Sequence, residues 1–181
     1  MADQARTARL PDETGRTLLI GLGNPDRGDD GLGPSVIRVL AGRLAPHVVC
    51  ITHESDGAAL LERWQPDDRV ILVDCVRSSA APGTIHRLDA LESTIPSDFF
   101  HYSSHAFGLA EAVEMARSLG RLPAHLLIYG IEGSDYTWGC GLSPDVARAA
   151  SILTSRLLGE LGPKALESDM REAILPCMNS A

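Results

Sequence analysis

The chain has 181 residues, of which 44% are hydrophobic, and its mean hydropathy is +0.01, so its length and composition are those of one globular domain. A net charge of −8 without any run of lysine or arginine argues against nucleic acid or an anionic membrane as the main partner. No apolar run approaches the about 18 residues of a membrane span, and the polar N-terminus lacks the apolar core of a secretory signal, so we expect a cytoplasmic protein.

The cysteines of the chain are far apart in the sequence, at Cys50, Cys75, Cys140 and Cys177. None of them belongs to the C-x-x-C spacing that is typical of zinc sites and redox motifs. We therefore expect buried free thiols in a reducing compartment.

Short apolar runs alternate along the chain with stretches of helical spacing. Apolar or β-branched runs predict strands at 17–22, 48–52, 69–74, 84–88 and 126–131. Apolar residues at helical spacing predict helices at about 31–44, 57–64, 105–119 and 144–161. Ser143 and Pro144 suit the N-cap and the first turn of the last helix. The third run is apolar at nearly every position before Asp74, which is typical of a strand buried on both faces.

This alternation predicts an α/β sandwich, in which a mostly parallel sheet carries helices on both faces. We expect residues 1–16 to form a flexible N-terminal arm, 17–162 a single domain and 163–181 a C-terminal tail. Open sheets of this kind bind ligands beyond the carboxyl ends of their strands. In the common strand order 2-1-3, the first and third strands are neighbours, so residues at their carboxyl ends meet at one edge of the sheet.

A glycine-rich segment, 21–33, directly follows the first predicted strand and leads into the first predicted helix. Its glycines allow a sharp turn and a close approach of other groups. Two adjacent carboxylates, Asp29 and Asp30, stand where a phosphate-binding loop would need N–H groups and positive charge. The segment therefore predicts a carboxylate site for a metal ion or for acid–base chemistry. An alternative role for either aspartate is to cap the helix that starts near Gly31.

Further candidate residues stand where this fold brings chain segments to the same edge. Asp74 ends the third predicted strand, so the order 2-1-3 places it near Asp30; its alternative role is to accept hydrogen bonds from the following turn. His105 begins the third predicted helix, where the helix dipole disfavours the imidazolium and leaves a neutral ring that can bind a metal, although a lone histidine is more often structural. Glu132, just after the last predicted strand, is a weaker candidate for a supporting role.

Two carboxylates and a neutral imidazole suit a divalent ion such as Ni²⁺, Zn²⁺ or Mn²⁺. The sequence lacks the H-E-x-x-H helix of the ordinary zinc peptidases and the G-x-S-x-G elbow of the serine hydrolases. A pair of aspartates that share one proton, as in aspartic proteases, stays an alternative because the sequence does not give their separation.

From about Leu18 to Leu161 the chain resembles the hydrogenase maturation proteases, the endopeptidases that trim the C-terminal extension from the large subunit of [NiFe] hydrogenases. The markers, in chain order, are G-x-G-N-x-x-x-x-D-D-G-x-G at 21–33, the strand ending in Asp74, Ala-Pro-Gly-Thr at 81–84, Ser-His at 104–105 with Gly-Leu at 108–109, and Gly-Leu-Ser-Pro at 141–144. The resemblance implies one peptidase domain over 17–162 with a twisted five-stranded sheet between helices, a phosphorylase/hydrolase-like three-layer sandwich.

The resemblance also implies that Asp30, Asp74 and His105 coordinate a metal and carry the catalysis of an aspartic-type or metal-assisted peptidase. It implies that the nickel already inserted in the [NiFe] hydrogenase large-subunit precursor is the recognition element, so Ni²⁺ comes with the substrate, while other divalent ions can occupy the site. Either the metal activates the carbonyl or a bound water, or an aspartate is the general base. Family members often carry an Asp-Gly-Gly-Thr-like stretch after the second strand; this chain differs at 53–59, so its substrate-recognition residues stay unassigned.

Other functions fit parts of the pattern. Peptidyl-tRNA hydrolases also have Gly-Leu-Gly-Asn-Pro after an apolar strand, but the following residues differ here and the negative charge suits tRNA poorly. In a dinucleotide-binding fingerprint the third glycine would fall at Asp26, and the aspartates would repel pyrophosphate. A non-proteolytic nickel-binding maturation chaperone would use the same three ligands without cleavage, and the sequence leaves this alternative open.

Overall fold

In the computed structural model, which describes residues 16–54, 57–95 and 108–163, five strands form one sheet. The strands are β1 (Thr17–Leu22), β2 (Val48–His53), β3 (Arg69–Val76), β4 (Ile85–Asp89) and β5 (His125–Glu132). Their order is β2-β1-β3-β5-β4, and neighbours are parallel except for β4 and β5, which are antiparallel. The mostly parallel sheet and the predicted 2-1-3 order are therefore confirmed.

Helices cover both faces of this sheet. They are α1 (Leu32–Leu40), α2 (Gly57–Leu60), α3 (Leu109–Ser118) and α4 (Pro144–Leu161). Leu19 of β1 is buried with α1 and α4, whereas Leu18 and Ile20 are buried with α2 and α3, because successive side chains of a strand point to opposite faces. The structure is thus the predicted three-layer α/β sandwich.

β3 lies between β1 and β5 at the centre of the sheet. Residues 70–73 are each 0% exposed, so the prediction of a strand buried on both faces is confirmed. The strand continues to Val76, two residues beyond its predicted end, because β5 goes on pairing with it. Asp74 therefore lies within β3, opposite Gly130 of β5, and the prediction that it ends the strand is wrong.

Two helices end earlier than the sequence predicts. α1 stops at Leu40 because Ala41 already takes an extended backbone, with a ψ of 128°. Gly42, with a φ of 74°, completes a tight turn in which the Arg43 amide donates to the Leu40 carbonyl at 3.0 Å. α2 stops at Leu60, whose carbonyl accepts the amide of Arg63 at 3.0 Å, three residues along the chain, as in a tight turn. This turn lets Trp64, which is 4% exposed, pack into the core beside α3.

The other boundaries agree closely with prediction. β1 and α4 have the predicted limits, while β2, β4 and β5 differ from the prediction by one residue at one or both ends. The predicted arm before residue 16, the tail from 164 onward, His105 and the start of the third predicted helix lie outside the described residues. Within 16–54, 57–95 and 108–163, no helix is long and apolar enough to cross a lipid bilayer.

The cysteines differ in exposure. Cys50 and Cys75 are half-buried free thiols, but Cys140 is exposed. The expectation of burial is wrong for Cys140 because this residue lies in the loop between β5 and α4 and not in a strand. Cys177 lies outside the described residues.

Candidate active site

The glycine-rich segment 21–33 joins the end of β1 to the start of α1 in very little space. A Cβ atom on Gly21 would lie 2.3 Å from the carbonyl oxygen of Gly33, and one on Gly33 would lie 2.2 Å from that of Leu22. These distances are too short for any side chain, so only glycine lets α1 pack directly on the backbone of β1. This contact holds the segment at the carboxyl edge of the sheet.

Two glycines in left-handed conformations turn the segment back on itself. Gly23 has a φ of 113° and Gly28 a φ of 52°. Asp30 lies in the short 3-10 turn Gly28–Gly31, and its Oδ2 accepts a hydrogen bond from the amide of Asn24 at 3.1 Å. A Cβ atom on Gly23 would lie 2.0 Å from the Asp30 carbonyl oxygen. Asp30 is thereby placed directly over the end of β1.

Asp74 reaches the same edge from β3. Its side chain points to the α2–α3 face of the sheet, as those of Leu72 and Val76 do. Burial, and next the negative charge of Asp30, raise the pKa of Asp74 to about 7, while a hydrogen bond from the Cys75 amide at 2.8 Å acts in the opposite direction. The structure thus brings the two carboxylates close enough for each to feel the charge of the other.

His105, the third predicted ligand, lies outside the described residues. α3 begins at Leu109, four positions later in the sequence, and packs on the face to which Asp74 points. Among the residues that the structure describes, no group of three or more His, Cys, Asp or Glu side chains could hold a metal ion. The metal-binding role of His105 stays a prediction.

Asp29 is fully buried, with 0% exposure, and joins the 3-10 turn to the loop after β5. Its carboxylate accepts hydrogen bonds from the amides of Ser134 (2.8 Å), Asp135 (2.9 Å) and Ser143 (2.6 Å) and from the Ser143 hydroxyl (3.0 Å). Its own amide donates to the Asp135 carbonyl at 2.7 Å. Asp29 therefore fixes the backbone on both sides of the site.

The residues at the N-termini of α1 and α4 do not cap these helices in the way that the sequence predicts. Gly31 is the N-cap of α1 and no side chain caps it, so neither Asp29 nor Asp30 has the alternative capping role. Ser143 stands at the N-cap of α4 as predicted, but its hydroxyl donates to Asp29 and not to the helix. Sequence analysis missed this role of Asp29 because its partners lie 105 to 114 residues further along the chain.

Glu132 is the last residue of β5 and is 2% exposed. Its Oε1 accepts the Ser78 amide and its Oε2 the Ser78 hydroxyl, both at 2.8 Å, and Nε2 of His86 lies 3.5 Å from Oε2. The carboxylate thus holds the turn that follows β3, in which Ser79 has a φ of 70°. The sequence predicted a supporting role for Glu132 without indicating these partners.

Cys75, which follows Asp74 in β3, contacts Tyr136, and both side chains are uncharged. The sulfur of Cys75 and the hydroxyl oxygen of Tyr136 are 3.4 Å apart, and a Cβ atom on Gly133 would lie within 2.5 Å of both. Burial raises the pKa of the Cys75 thiol and of the Tyr136 hydroxyl far above their usual ranges. This raised pKa keeps the thiol protonated at neutral pH, which disfavours its use as a nucleophile.

The Asp30–Asp74 pair suits two kinds of chemistry. A divalent cation between the carboxylates would remove their repulsion, and carboxylate oxygens are suitable donors for such an ion. A carboxyl group with a pKa of about 7 can also take up and release a proton at neutral pH, as a general base must. The residues present therefore fit a metal-bearing substrate as well as proton transfer.

Comparisons with known proteins agree on one family. The family model described as hydrogenase maturation protease matches residues 35–160. The hydrogenase expression/formation protein HupD of Bradyrhizobium diazoefficiens is 29% identical over an alignment of 153 residues, and the match covers 81% of this chain and 80% of that protein. A putative hydrogenase maturation protease of Methanocaldococcus jannaschii is 29% identical over an alignment of 151 residues, and the match covers 80% of this chain and 95% of that protein.

Solved structures show the same likeness. The hydrogenase maturating endopeptidase HybD from Escherichia coli is 25% identical, with a TM-score of 0.65, and the match covers 88% of this chain and 94% of that one. An Escherichia coli endopeptidase solved in solution is 27% identical, with a TM-score of 0.68, and the match covers 80% and 91% of the two chains.

Proposed function

The chain belongs to the hydrogenase maturation protease family, and on that premise we propose that it is an endopeptidase that removes the C-terminal extension of a [NiFe] hydrogenase large-subunit precursor after nickel insertion. The observation that carries the proposal is the pair of carboxylates at the carboxyl edge of β1 and β3. There burial, and next the charge of Asp30, raise the pKa of Asp74 to about 7. This is the edge at which open α/β sheets bind their ligands.

In this proposal, nickel enters the site as part of the substrate. Asp30, Asp74 and His105 would complete its coordination, because two carboxylates and an imidazole suit this ion. When both aspartates are ionised and no cation is bound, their charges repel each other. The positive charge of nickel in the precursor would reduce this repulsion. The site would thereby favour precursors whose nickel is in place, and no metal of the enzyme's own is required.

The cleavage step needs a group that accepts a proton from water, and we assign this role to Asp74. The water oxygen bonds to the scissile carbonyl carbon while a carboxylate oxygen of Asp74 takes the proton. The C–N bond then breaks, its electron pair goes to nitrogen, and Asp74 returns the proton to the leaving amine. Contact with the substrate's nickel would lower the pKa of Asp74 below about 7, which keeps the carboxylate ionised to accept the proton and favours the return of the proton to the leaving amine.

The proposal is tested by mixing the purified protein with nickel-loaded or nickel-free large-subunit precursor and measuring intact masses. The expected result is loss of a C-terminal peptide from the nickel-loaded precursor alone. Shortening of both precursors would contradict nickel recognition but keep the peptidase. Binding without shortening would contradict the peptidase and favour the non-proteolytic nickel-binding chaperone.

A further inference from the structure

The loop between β5 and α4 presents one large apolar side chain to solvent, at the edge of the sheet that carries Asp30 and Asp74. Trp138 is 67% exposed, the highest value of any large hydrophobic residue that the structure describes, whereas Trp64 is buried in the core. Exposed apolar surface is unfavourable in water, so a partner that covers the indole ring gains free energy. Trp138 is therefore a candidate for contact with a partner.

The other exposed large hydrophobic residues of the described chain lie away from this edge. α1 and α3 run from the carboxyl edge of the sheet towards its amino edge, because each leads into the start of a strand parallel to β1 or β3. The residues lie late in or just after these helices, at the middle of α4, early in β2 or after β4: Val39, Met115, Leu119, Ile152, Val49 and Leu91. Within residues 16–54, 57–95 and 108–163, Trp138 is thus the only large hydrophobic side chain that is exposed at the carboxyl edge.

Backbone contacts connect Trp138 to the turn that carries Asp30. Trp138 forms an antiparallel β-bridge with Arg27, and the carbonyl of Arg27 accepts the amide of Asp30 at 3.1 Å. Beside this bridge, the amide of Gly139 donates to the carbonyl of Asp26 at 2.8 Å. One β-bridge and one hydrogen bond therefore separate Trp138 from the backbone of Asp30, so a chain segment bound at the two carboxylates passes close to the indole ring.

The backbone that carries Trp138 is held in place by the glycine-rich segment. A Cβ atom on Gly28 would lie 2.4 Å from the carbonyl oxygen of Asp135, so the loop packs directly on the backbone of this segment. The side chain of Asp135 also accepts the amide of Thr137 at 2.9 Å, which fixes the turn just before Trp138. Since this backbone is already ordered, a partner that covers the indole ring loses little of its binding free energy to ordering the loop.

We propose that Trp138 is a substrate-docking residue, whose indole ring packs on an apolar side chain of the large-subunit precursor near the bond that is cut. This inference rests on the proposed function and adds a substrate contact to the same site. Tryptophan is enriched among the residues that contribute most to protein–protein binding, because its large rigid ring buries much apolar area. The indole has no acid–base group for the cleavage step, so Trp138 contributes to binding of the precursor and not to the chemistry.

Cleavage kinetics on nickel-loaded precursor test this role. Trp138→Ala should raise KM by about 10-fold to 30-fold and leave kcat near the wild-type value, because it removes a binding contact and no reacting group. Trp138→Phe keeps an aromatic ring and should restore most of the lost affinity. The matched control, Ile152→Ala, truncates a side chain that is 55% exposed in α4 and should leave both constants unchanged. Urea unfolding checks that each variant is folded.

Hydroxyl-radical footprinting, read by peptide mass spectrometry, measures the same contact without relying on cleavage. In the free protein the radicals should oxidise the exposed Trp138 readily and the buried Trp64 hardly at all. Addition of nickel-loaded precursor, with a pulse much shorter than one turnover, should slow the oxidation of Trp138 several-fold. Met115, which is 40% exposed in α3, is the internal control and should keep its oxidation rate.

The two measurements separate this inference from the proposed function. Protection of Trp138 without shortening of the precursor would support the docking contact and contradict the peptidase. Cleavage with no protection of Trp138, or a wild-type KM for a folded Trp138→Ala protein, would overturn the docking role and keep the peptidase. A loss for Trp138→Ala that falls on kcat alone would also overturn it, because the residue would then act in the cleavage step.

Discussion

At the scale of single residues, the ionised form of Asp74 is unfavourable in the folded protein because of burial and the charge of Asp30. Its pKa rises from 3.8 to about 7, so the folded protein holds this proton more tightly than the unfolded chain. The resulting stability is fully present below about pH 4 and is lost as the pH rises through 7. Each unit of the shift corresponds to about 1.4 kcal/mol.

The unfolding free energy of chelator-treated wild-type protein should therefore fall between pH 4 and pH 8. We expect this fall to be larger than that of Asp74→Asn by a few kcal/mol. Urea unfolding at a series of pH values measures the difference. Asp30→Asn should reduce this difference in pH dependence only in part, because burial contributes more than the charge of Asp30 to the raised pKa of Asp74. Identical pH dependence in wild type and Asp74→Asn would contradict this account of the site.

Asp29 should contribute to stability more than to chemistry. Asp29→Asn places an NH₂ group among amide donors and leaves buried N–H groups of Ser134, Asp135 or Ser143 without an acceptor. We expect a loss of about 2–4 kcal/mol in unfolding free energy, measured by denaturant titration. Asp26→Asn, an exposed change in the same segment, serves as the control and should alter stability by less than about 0.5 kcal/mol.

The sequence predicted that Asp30 and Asp74 lie close together, but it did not predict the raised pKa of Asp74. Their approach follows from strand order, since β1 and β3 are neighbours, Asp30 lies in the turn that follows β1, and Asp74 lies two residues before the end of β3. The raised pKa of Asp74 depends on its desolvation by neighbouring elements and on the charge of Asp30, which no local pattern of the sequence contains. The role of Asp29 was missed because it depends on contacts with a loop more than 100 residues away.

At the scale of elements, the contact between β1 and α1 rests on glycine. Gly33→Ala would place a Cβ atom 2.2 Å from the Leu22 carbonyl oxygen, so the helix and strand must move apart. We expect this substitution to cost about 1–3 kcal/mol of unfolding free energy. It should also lower peptidase activity, because the same contact positions Asp30. Thermal unfolding and a cleavage assay measure the two effects.

Gly159→Ala in α4 is the matched control for Gly33→Ala. A Cβ atom at Gly159 meets no atom within 4 Å, and alanine has the higher helix propensity. This substitution should therefore stabilise the protein by about 0.5–1 kcal/mol. If Gly33→Ala were as harmless as Gly159→Ala, the close packing of α1 on β1 would not be what holds the segment in place.

Elements with strong periodicity were predicted well, and their ends less well. β1 and α4 have the predicted limits because apolar runs and a Ser-Pro start mark them clearly. α1 and α2 are shorter because an extended Ala41 and a turn before Trp64 override the helical pattern. β3 is longer because its last residues pair with β5, a tertiary contact that the local sequence does not contain.

At the scale of the whole molecule, the three-layer sandwich brings the carboxyl ends of β1 and β3 to one edge, where the 3-10 turn holds Asp30 beside Asp74. Asp29 and Glu132 fix the loops around this edge from both sides. The family match indicates a peptidase that acts in hydrogenase maturation. The central claim is that these two carboxylates carry its cleavage chemistry.

The most direct test of that claim is the cleavage rate of nickel-loaded large-subunit precursor by Asp74→Asn, with Asp26→Asn as the matched control. Both variants replace one carboxylate by an amide, but Asp26 is exposed in the segment between β1 and α1. The account predicts a loss of at least about 100-fold for Asp74→Asn, because its proton acceptor is gone, and a wild-type rate for Asp26→Asn. A folded Asp74→Asn protein that cleaves at the wild-type rate would contradict it.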